Sequence, residues 1–347
     1  MKKLLLTLIL WNIIGTAAAQ QTVAGTSYYL PKTALRFSFL IEKTTYEPGQ
    51  FAAYADRYMK KKVSLTPSTT YRIINCDMQP TAVPDTTKQF TLLLDKKISI
   101  YQVEKSDEGI LLAINATGKR LRQPDAFVPA KQPADLNPRD FMNEDILTAN
   151  SSAKMAELIA EDIYDIRESR NQLTRGQAES MPKDGEQLKI MMSNLNTQET
   201  ALNQVFEGIT RRDTIEKVIT YVPVKGVGKT LLFRFSKKLG ITDPDDLAGV
   251  PYELTIDEQH QVTDQTPVPE ESKKSKEDFG LNVNMPDKIR VVLTSEGETL
   301  KTFEVLAAQF GKTENLSAEL FGKKQTSKLI LNPLTGGIES IQAEVIK

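Results

Sequence analysis

The spacing of hydrophobic residues changes twice along this 347-residue chain, and that change constrains the fold more than any other feature. In ALRFSFLIEKTTY, Leu35, Phe37 and Phe39 alternate with more polar residues, which is the period of a half-buried β-strand. Short runs of this kind recur up to about residue 125 and return from residue 213 onward. The sequence therefore predicts β-rich segments on either side of a middle segment that differs from them.

The middle segment carries two apolar stripes with a seven-residue spacing. One stripe contains Ile159, Ile166 and Leu173. The other contains Leu188, Leu195 and Leu202. This spacing is typical of helices that pack along one another. The stripes can bury against each other and against a sheet, or one stripe can dock a partner protein, for which Leu188, Leu195 and Leu202 are the candidate contacts.

The turn between the two stripes is short and carries helix-ending and helix-starting residues. Gly176 suits the end of the first helix, and Asp184 suits the N-cap of the second. A short connection predicts an antiparallel αα-hairpin. Whether this hairpin packs down or projects is left open by the sequence.

These patterns predict an α+β fold, in which β-rich N-terminal and C-terminal, sandwich-like segments flank the antiparallel αα-hairpin. The predicted organisation is a signal peptide at 1–19, a β-rich domain at 20–135, the helical hairpin at 136–212 and a β-sandwich-like domain at 213–347. Residues 264–278, DQTPVPEESKKSKED, are rich in Pro, Lys and Glu and predict a disordered loop.

The first residues, MKKLLLTLILWNIIGTAAAQ, follow the three-part plan of a secretory signal peptide. Lys2 and Lys3 precede an apolar run, and Ala17 to Ala19 supply the small residues of a cleavage site. The apolar run is shorter than the roughly 20 residues that span a bilayer. We expect an exported chain in the periplasm or cell envelope, without a lipid anchor and without a transmembrane segment after cleavage.

The stretch VKGVGKT contains the end of a phosphate-binding loop, Gly228-Lys229-Thr230. The first glycine of that motif should stand at position 223, which is Pro223, and the residues that follow alternate with strand period instead of starting a helix. We interpret the stretch as a hairpin turn with glycines at positive φ. No nucleotide is expected.

Charge and residue content exclude several other classes of function. The 44 basic and 45 acidic residues leave no basic excess for nucleic acid. With Cys76 and His260 as the only residues of their kinds, a transition-metal site is nearly excluded; we expect a small buried residue and an exposed strand-end residue, respectively. No cofactor is predicted. Asp243, Asp245 and Asp246 in TDPDDLAG are weak calcium candidates, and an Asx-turn explains them as well.

Three stretches carry a resemblance: FAAYADRYM at 51–59, the hairpin sequence at 160–192, and LLFRFSKKLGITDPDDLAG at 231–249. Together they resemble a family of uncharacterised exported proteins of the Bacteroidetes, defined as a domain of unknown function that covers nearly the whole mature chain. The resemblance implies an envelope address, and it supplies no catalytic residues because none are established for the family. DTT at 85–87 and DTI at 213–215 also resemble an O-glycosylation motif of exported proteins in such bacteria.

The function predicted from these features is that of an exported, envelope-associated, non-catalytic binding or assembly module. Its partner would be an envelope protein or a glycan. The alternative is a carboxylate-dependent glycan-acting hydrolase or a glycan-binding protein. Trp11, the only tryptophan, lies in the predicted signal peptide, which weakens both glycan hypotheses because sugar-binding surfaces favour aromatic faces.

Overall fold

The computed structural model describes residues 25–94, 98–260, 280–322 and 325–345. The predicted signal peptide at 1–19 and the predicted disordered loop at 264–278 lie outside these ranges. The described chain forms several antiparallel sheets and a helical hairpin, so the predicted α+β class is confirmed. No described helix is long and apolar enough to cross a membrane.

The strands, in chain order, are β1 (Gly25–Glu47), β2 (Ser68–Leu93), β3 (Val103–Lys105), β4 (Leu111–Ile114), β5 (Ile209–Tyr221), β6 (Lys229–Ser236), β7 (Gly240–Thr242), β8 (Val250–Glu258), β9 (Asn282–Ser295), β10 (Glu298–Asn315), β11 (Gln325–Leu331) and β12 (Ile338–Val345). The helices are α1 (Ala55–Met59), α2 (Glu144–Leu147), α3 (Ser152–Arg175) and α4 (Gly185–Glu207). The strands form three sheets, with the strand orders β2-β1-β5, β10-β9-β8-β6-β7 and β12-β11-β4-β3.

Strand β1 lies at the centre of the first sheet. It pairs with β2 along nearly its whole length and with β5 from Leu35 to Glu47, both antiparallel. The alternation in ALRFSFLIEKTTY gives this strand one apolar face, and Leu35, Phe37 and Phe39 are fully buried there. The strand prediction for this stretch is confirmed.

The buried face of the β2-β1-β5 sheet packs on the β10-β9-β8-β6-β7 sheet. Phe39 meets Phe233 of β6 edge-to-face, with ring centroids 4.8 Å apart. Leu254, Val291 and Phe310 extend this core across β8, β9 and β10. A two-sheet sandwich therefore forms, but not within 213–347 alone, as the sequence predicted, because one of its sheets contains strands from both before and after the hairpin.

A second core lies at the other end of β1. The register between β1 and β2 shifts between Tyr29 and Pro31, and the buried positions of β1 change phase there. Tyr28 and Leu30 are consequently buried against the β12-β11-β4-β3 sheet, and Leu331 belongs to the same core. Here too, strands from the two ends of the chain share a sheet. The predicted boundaries at 135 and 212 therefore divide the sequence, but the segments on either side of them share the same hydrophobic cores.

The predicted hairpin turn in VKGVGKT was wrong. Strands β5 and β6 flank the stretch, but they belong to different sheets and do not pair. The stretch is a turn that carries the chain between sheets, closed by the Val227 amide, which donates to the Val224 carbonyl at 3.2 Å. Gly226 has φ +79°, as expected of a glycine in such a turn. The residues after it form strand β6, as predicted.

Replacing Phe39 with alanine should destabilise the protein by about 3–5 kcal/mol, because the side chain is fully buried between two sheets and its removal leaves a cavity. Denaturant unfolding at neutral pH measures the loss. Val128→Ala is the control: the Val128 side chain is 81% exposed, and its change should stay within about 0.5 kcal/mol. Similar losses for both variants would contradict the assignment of Phe39 to the core.

Candidate functional site

The outer face of the β2-β1-β5 sheet is polar, because the residues between the buried positions of β1 point away from the core. Arg36 lies on this face in the middle of the sheet. Its cross-strand neighbours are Gln79 on β2 and Thr220 on β5. A row of one cation flanked by two neutral polar residues thus crosses the sheet.

A strap, residues 117–137, crosses this outer face and contains neither helix nor strand. At its start, Arg120 pairs with Asp107 at 3.3 Å, and Lys119 pairs with Glu339. At its end, Asp135 pairs with Arg211 of β5 at 2.8 Å. The strap is therefore held at both ends by surface ion pairs, and its middle covers the sheet.

Sheet, strap and the turn between β3 and β4 enclose a cleft of about 540 Å³. This volume falls in the range of small-molecule sites. Arg36, Gln79 and Thr220 form its floor. The lining residues with charge are Arg36, Arg120, Arg122, Asp107 and Glu108, and apolar side chains include Val83, Ile110, Leu112 and Leu121.

A second hollow of about 240 Å³ continues from the cleft along the same face. Arg36 lines both spaces. Asp77 of β2 and Glu216 of β5 line the second hollow from strands on either side of β1. Ser38 donates a hydrogen bond to Glu216 at 2.5 Å and so holds that carboxylate against the sheet.

The predicted αα-hairpin is present as α3 and α4. The Ser151 and Asp184 side chains cap their N-termini, and Gly176, with φ +69°, ends α3. These caps match the prediction for Asp184 and Gly176. The helices pack with α1 and α2 around a core that includes Phe51, Ile159 and Phe206.

The root of the hairpin is fixed to the end of β1. The Phe51 amide donates to the Val205 carbonyl of α4 at 2.7 Å. The backbones approach so closely that a Cβ at Gly49 would lie 2.3 Å from the same carbonyl oxygen. A side chain at position 49 would therefore force the hairpin away from the sheets.

Helix α4 buries side chains only near its C-terminal end. Its buried residues begin at Ala201, and none occurs over residues 185–200. In that region Ile190 is 53% exposed and Met191 39% exposed. We call residues 167–200 the stem. The hairpin thus has a buried root and a stem in which the α4 side chains are half-buried or exposed.

An ionic clamp joins the two helices of the stem. Glu199 of α4 accepts a hydrogen bond from Arg167 Nε at 2.6 Å and also pairs with Arg170. Burial acts to raise the pKa of the Glu199 carboxyl, but the hydrogen bond from Arg167 and the two arginine charges outweigh it and hold that pKa below its usual value. The clamp therefore stabilises the stem, a region in which few apolar side chains are buried.

The three candidate leucines of the second stripe occupy different environments. Leu202 is fully buried in the core at the root. Leu195 is half-buried and packs against that core, whereas Leu188, half-buried, lies on the stem outside it. Burial of Leu202 reflects packing within the hairpin. As contacts for a partner, the leucines stay a prediction. Met191, which follows Leu188 by three residues in the same stripe, and Ile190, which lies outside the stripe, are more exposed.

The calcium candidates form a tight surface turn. The Asp246 amide donates to the Asp243 carbonyl at 3.0 Å, and the Asp246 carboxylate accepts from the Ala248 amide at 2.9 Å. Asp245 lies between them, exposed. Within the described ranges, no group of three or more acidic, His or Cys residues is arranged to hold a metal ion. The Asx-turn interpretation accounts for these hydrogen bonds.

The remaining residues singled out from the sequence are Cys76, His260 and the two glycosylation motifs. Cys76 is buried, and burial raises the pKa of its thiol to about 11. His260 is exposed at the end of β8. Of the predicted glycosylation motifs, Asp85 is buried and pairs with Lys32 at 3.0 Å, whereas Thr86 beside it is exposed. Glycosylation stays a prediction.

A family model with the description "Domain of unknown function (DUF4831)" matches residues 24–339. The chain belongs to this family. The match confirms a domain of unknown function that spans nearly the whole chain, as the resemblance implied. No curated protein and no solved structure matches the chain. The matched range includes the cleft, the strap and the hairpin, so all three are parts of the DUF4831 domain.

Glu199→Gln should loosen the stem at neutral pH by about 1 kcal/mol, the scale of a partly exposed ion pair. Because the pKa of Glu199 is lower in the folded protein than in the unfolded chain, where it is near 4.5, the carboxylate stabilises the fold at pH values above 4.5. This stabilisation is lost as the pH falls through the pKa of the folded protein. Hydrogen exchange of α4 amides measures local stability. We expect faster exchange in the variant at pH 7 and a smaller difference at about pH 2.5, after correction for intrinsic rates.

Glu161→Gln is the matched control, because Glu161 is exposed on α3. It should leave α4 exchange unchanged at both pH values. A Glu199→Gln effect of equal size at both pH values would show that the charge of Glu199 is not what holds the stem.

Proposed function

We propose that this DUF4831 protein is an exported, envelope-associated protein that acts by binding, with the stem of the hairpin as its partner contact. The observation that carries the proposal is the exposure of α4 along residues 185–200. At 1.5 Å per residue, this is roughly 24 Å of helix beyond the buried root. A helix of that length without a buried residue is available to a second protein.

The composition of the stem supports a protein partner. Ile190 and Met191 are exposed apolar side chains, and Met is enriched in protein interfaces. The clamp of Arg167, Arg170 and Glu199 holds the two helices together, which lowers the entropy lost when a partner binds. An apolar centre with charged residues around it is the usual plan of an interface.

The export part of the proposal rests on the first twenty residues. Their charged start, short apolar run and small-residue end are typical of a signal peptide. The balanced charge of 44 basic and 45 acidic residues favours a protein partner over nucleic acid.

The non-catalytic part rests on the cleft. Its carboxylates, Asp107 and Glu108, are adjacent in sequence and lie on one wall, whereas acid–base hydrolysis of a glycan uses carboxylates on two sides of the bond. Asp107 is also paired with Arg120. The thiol of Cys76 is buried with a raised pKa, which disfavours nucleophilic chemistry there.

The second candidate function is glycan hydrolysis in the second hollow. Asp77 and Glu216 approach it from strands that flank β1, so two carboxylates do face one space. Phe127 of the strap also lines it and offers an aromatic face.

Site-specific photo-crosslinking in envelope fractions tests the stem. A photoreactive residue at Ile190 should crosslink one partner in stoichiometric amount, and the added change Met191→Lys should abolish that product. The control places the same photoreactive residue at Leu247, which is 82% exposed in the turn of the calcium candidates. Unfolding curves confirm that each variant folds.

The two positions decide the outcome. A product at Ile190 that is absent at Leu247 and lost with Met191→Lys supports the stem as the contact. The same set of products at both positions, or no product at Ile190, would overturn it. Cleavage of the leader, checked by N-terminal sequencing of protein from the envelope, tests export separately.

Turnover assays on polysaccharides test the second candidate. If Asp77 and Glu216 are an acid–base pair, Asp77→Asn and Glu216→Gln should each lower the rate by at least about a hundredfold. Asp125→Asn is the control, because Asp125 lines the same hollow from the exposed strap. Absence of turnover by the unchanged protein, or equal loss in all three variants, would remove this candidate.

A further inference from the structure

We propose that the cleft binds a small anionic ligand, a carboxylate or a phosphate ester with a short apolar portion, and that Arg36 anchors the anionic group. This inference goes beyond the proposed function and does not depend on it, because the cleft lies on the β2-β1-β5 sheet and the stem on the hairpin. It starts from a difference between two arginines on one face of that sheet.

Arg72 and Arg36 both point outward from this sheet, but among the residues that the structure describes only Arg72 has a counter-ion. Arg72 of β2 lies opposite Glu42 of β1 and pairs with its carboxylate at 3.0 Å. Arg36 lies opposite Gln79 and Thr220, which carry no charge. Within the described ranges, the Arg36 side chain forms no ion pair and no hydrogen bond.

The partial burial of Arg36 makes the lack of a counter-ion a reason to expect an anionic ligand. Arg36 is half-buried on the floor of the cleft, whereas Arg72 is exposed on the open sheet. A guanidinium that is partly removed from water gains more from an anion than an exposed one does. Its planar set of donors suits the two oxygens of a carboxylate or phosphate.

The polar groups around Arg36 can complete the binding of an anion. Gln79, Thr220 and Ser106 line the same cleft and carry neutral hydrogen-bond donors. Arg120 and Arg122 of the strap also line the cleft, but they are paired with Asp107 and Asp125, so among the described lining residues Arg36 is the cation that remains for an anion. The carboxylate of Asp107 is already paired with Arg120, which reduces its repulsion of an anionic ligand.

The carboxylates that line the neighbouring hollow disfavour binding of the ligand's anionic group there. Asp77 and Glu216 line that hollow beyond Arg36, and Glu216 is held there by Ser38. Negative charge on that side repels a second anionic group. The anionic group therefore lies on the cleft side of Arg36, and the rest of the ligand extends away from the hollow.

The remaining walls describe the rest of the ligand. Val83, Ile110 and Leu112 supply apolar surface, and the described lining residues include no aromatic side chain on which a sugar ring could stack. At about 540 Å³ the cleft fits a molecule of metabolite size. A short alkyl chain with one anionic group matches both the floor and these walls.

Titration calorimetry with four probes tests the proposal on the unchanged protein: hexanoate, hexyl phosphate, inorganic phosphate and hexanol. We expect the two amphiphilic anions to bind, inorganic phosphate to bind more weakly and hexanol not to bind measurably. Hexanoate against hexyl phosphate tells which anionic group the cleft prefers. Added salt should weaken the binding of the anions.

Variants at the two arginines give the decisive comparison. Arg36→Gln should weaken binding of the preferred anion at least about tenfold, the scale of a lost charge-assisted hydrogen bond. Arg36→Lys keeps the charge and should retain part of the affinity. Arg72→Gln removes a charge from the same sheet face and should change affinity less than about twofold, because Arg72 lies outside the cleft.

Three results would overturn the proposal. They are no binding of either amphiphilic anion, equal affinity for hexanol, and equal loss in Arg36→Gln and Arg72→Gln. Unfolding curves show that each variant is folded before binding is compared. Crosslinking at Ile190 is a separate measurement on a separate surface, so failure of the anion site and failure of the stem as a partner contact are distinguishable.

Discussion

The pairing of β1 on both of its edges is the constraint on which the rest of the structure depends. From Leu35 to Tyr46, β2 and β5 occupy both edges, so only the two faces of this part of β1 remain to meet other groups. The alternation of its sequence then decides both faces at once. Phe37 and Phe39 join the sandwich core, and Arg36 between Leu35 and Phe37 must point outward to the strap. Core and cleft are two consequences of one alternating stretch.

Local patterns predicted local structure well. The strand around Phe39, the helices of the hairpin and their caps at Gly176 and Asp184 depend on residues close together in sequence. The pairing of strands was not predictable in the same way. β1 pairs with β5 across the whole hairpin insertion, and no local spacing specifies so distant a partner. The turn in VKGVGKT was misassigned for this reason: its flanking strands pair with distant strands and not with each other.

The candidate sites show the same limit. The seven-residue stripe treated Leu188 and Leu202 as equivalent, yet one lies on the stem and the other is buried, because α4 leaves the protein body between them. Arg36 carried no signal beyond its place among alternating residues. Its cleft is built from β1, β2, β5, the turn after β3 and the strap, which only the folded chain brings together. The sequence offered one indication of this site, namely that Arg36 is a basic residue within the most regular alternation of apolar residues.

The strap is the element that touches both proposed binding surfaces. Arg120 and Arg122 line the cleft, and Leu136 near the other end of the strap lines a shallow hollow together with Met192 and Asn196 of the stem. Ion pairs at the surface hold its ends, and such pairs contribute about 0–1 kcal/mol each. A ligand that attracts Arg120 competes with Asp107 for a weak bond, whereas moving β1 would break a paired strand and a buried core. Any coupling between cleft and stem would therefore pass through the strap and not through the sheet, and its size would be limited by those weak ion pairs.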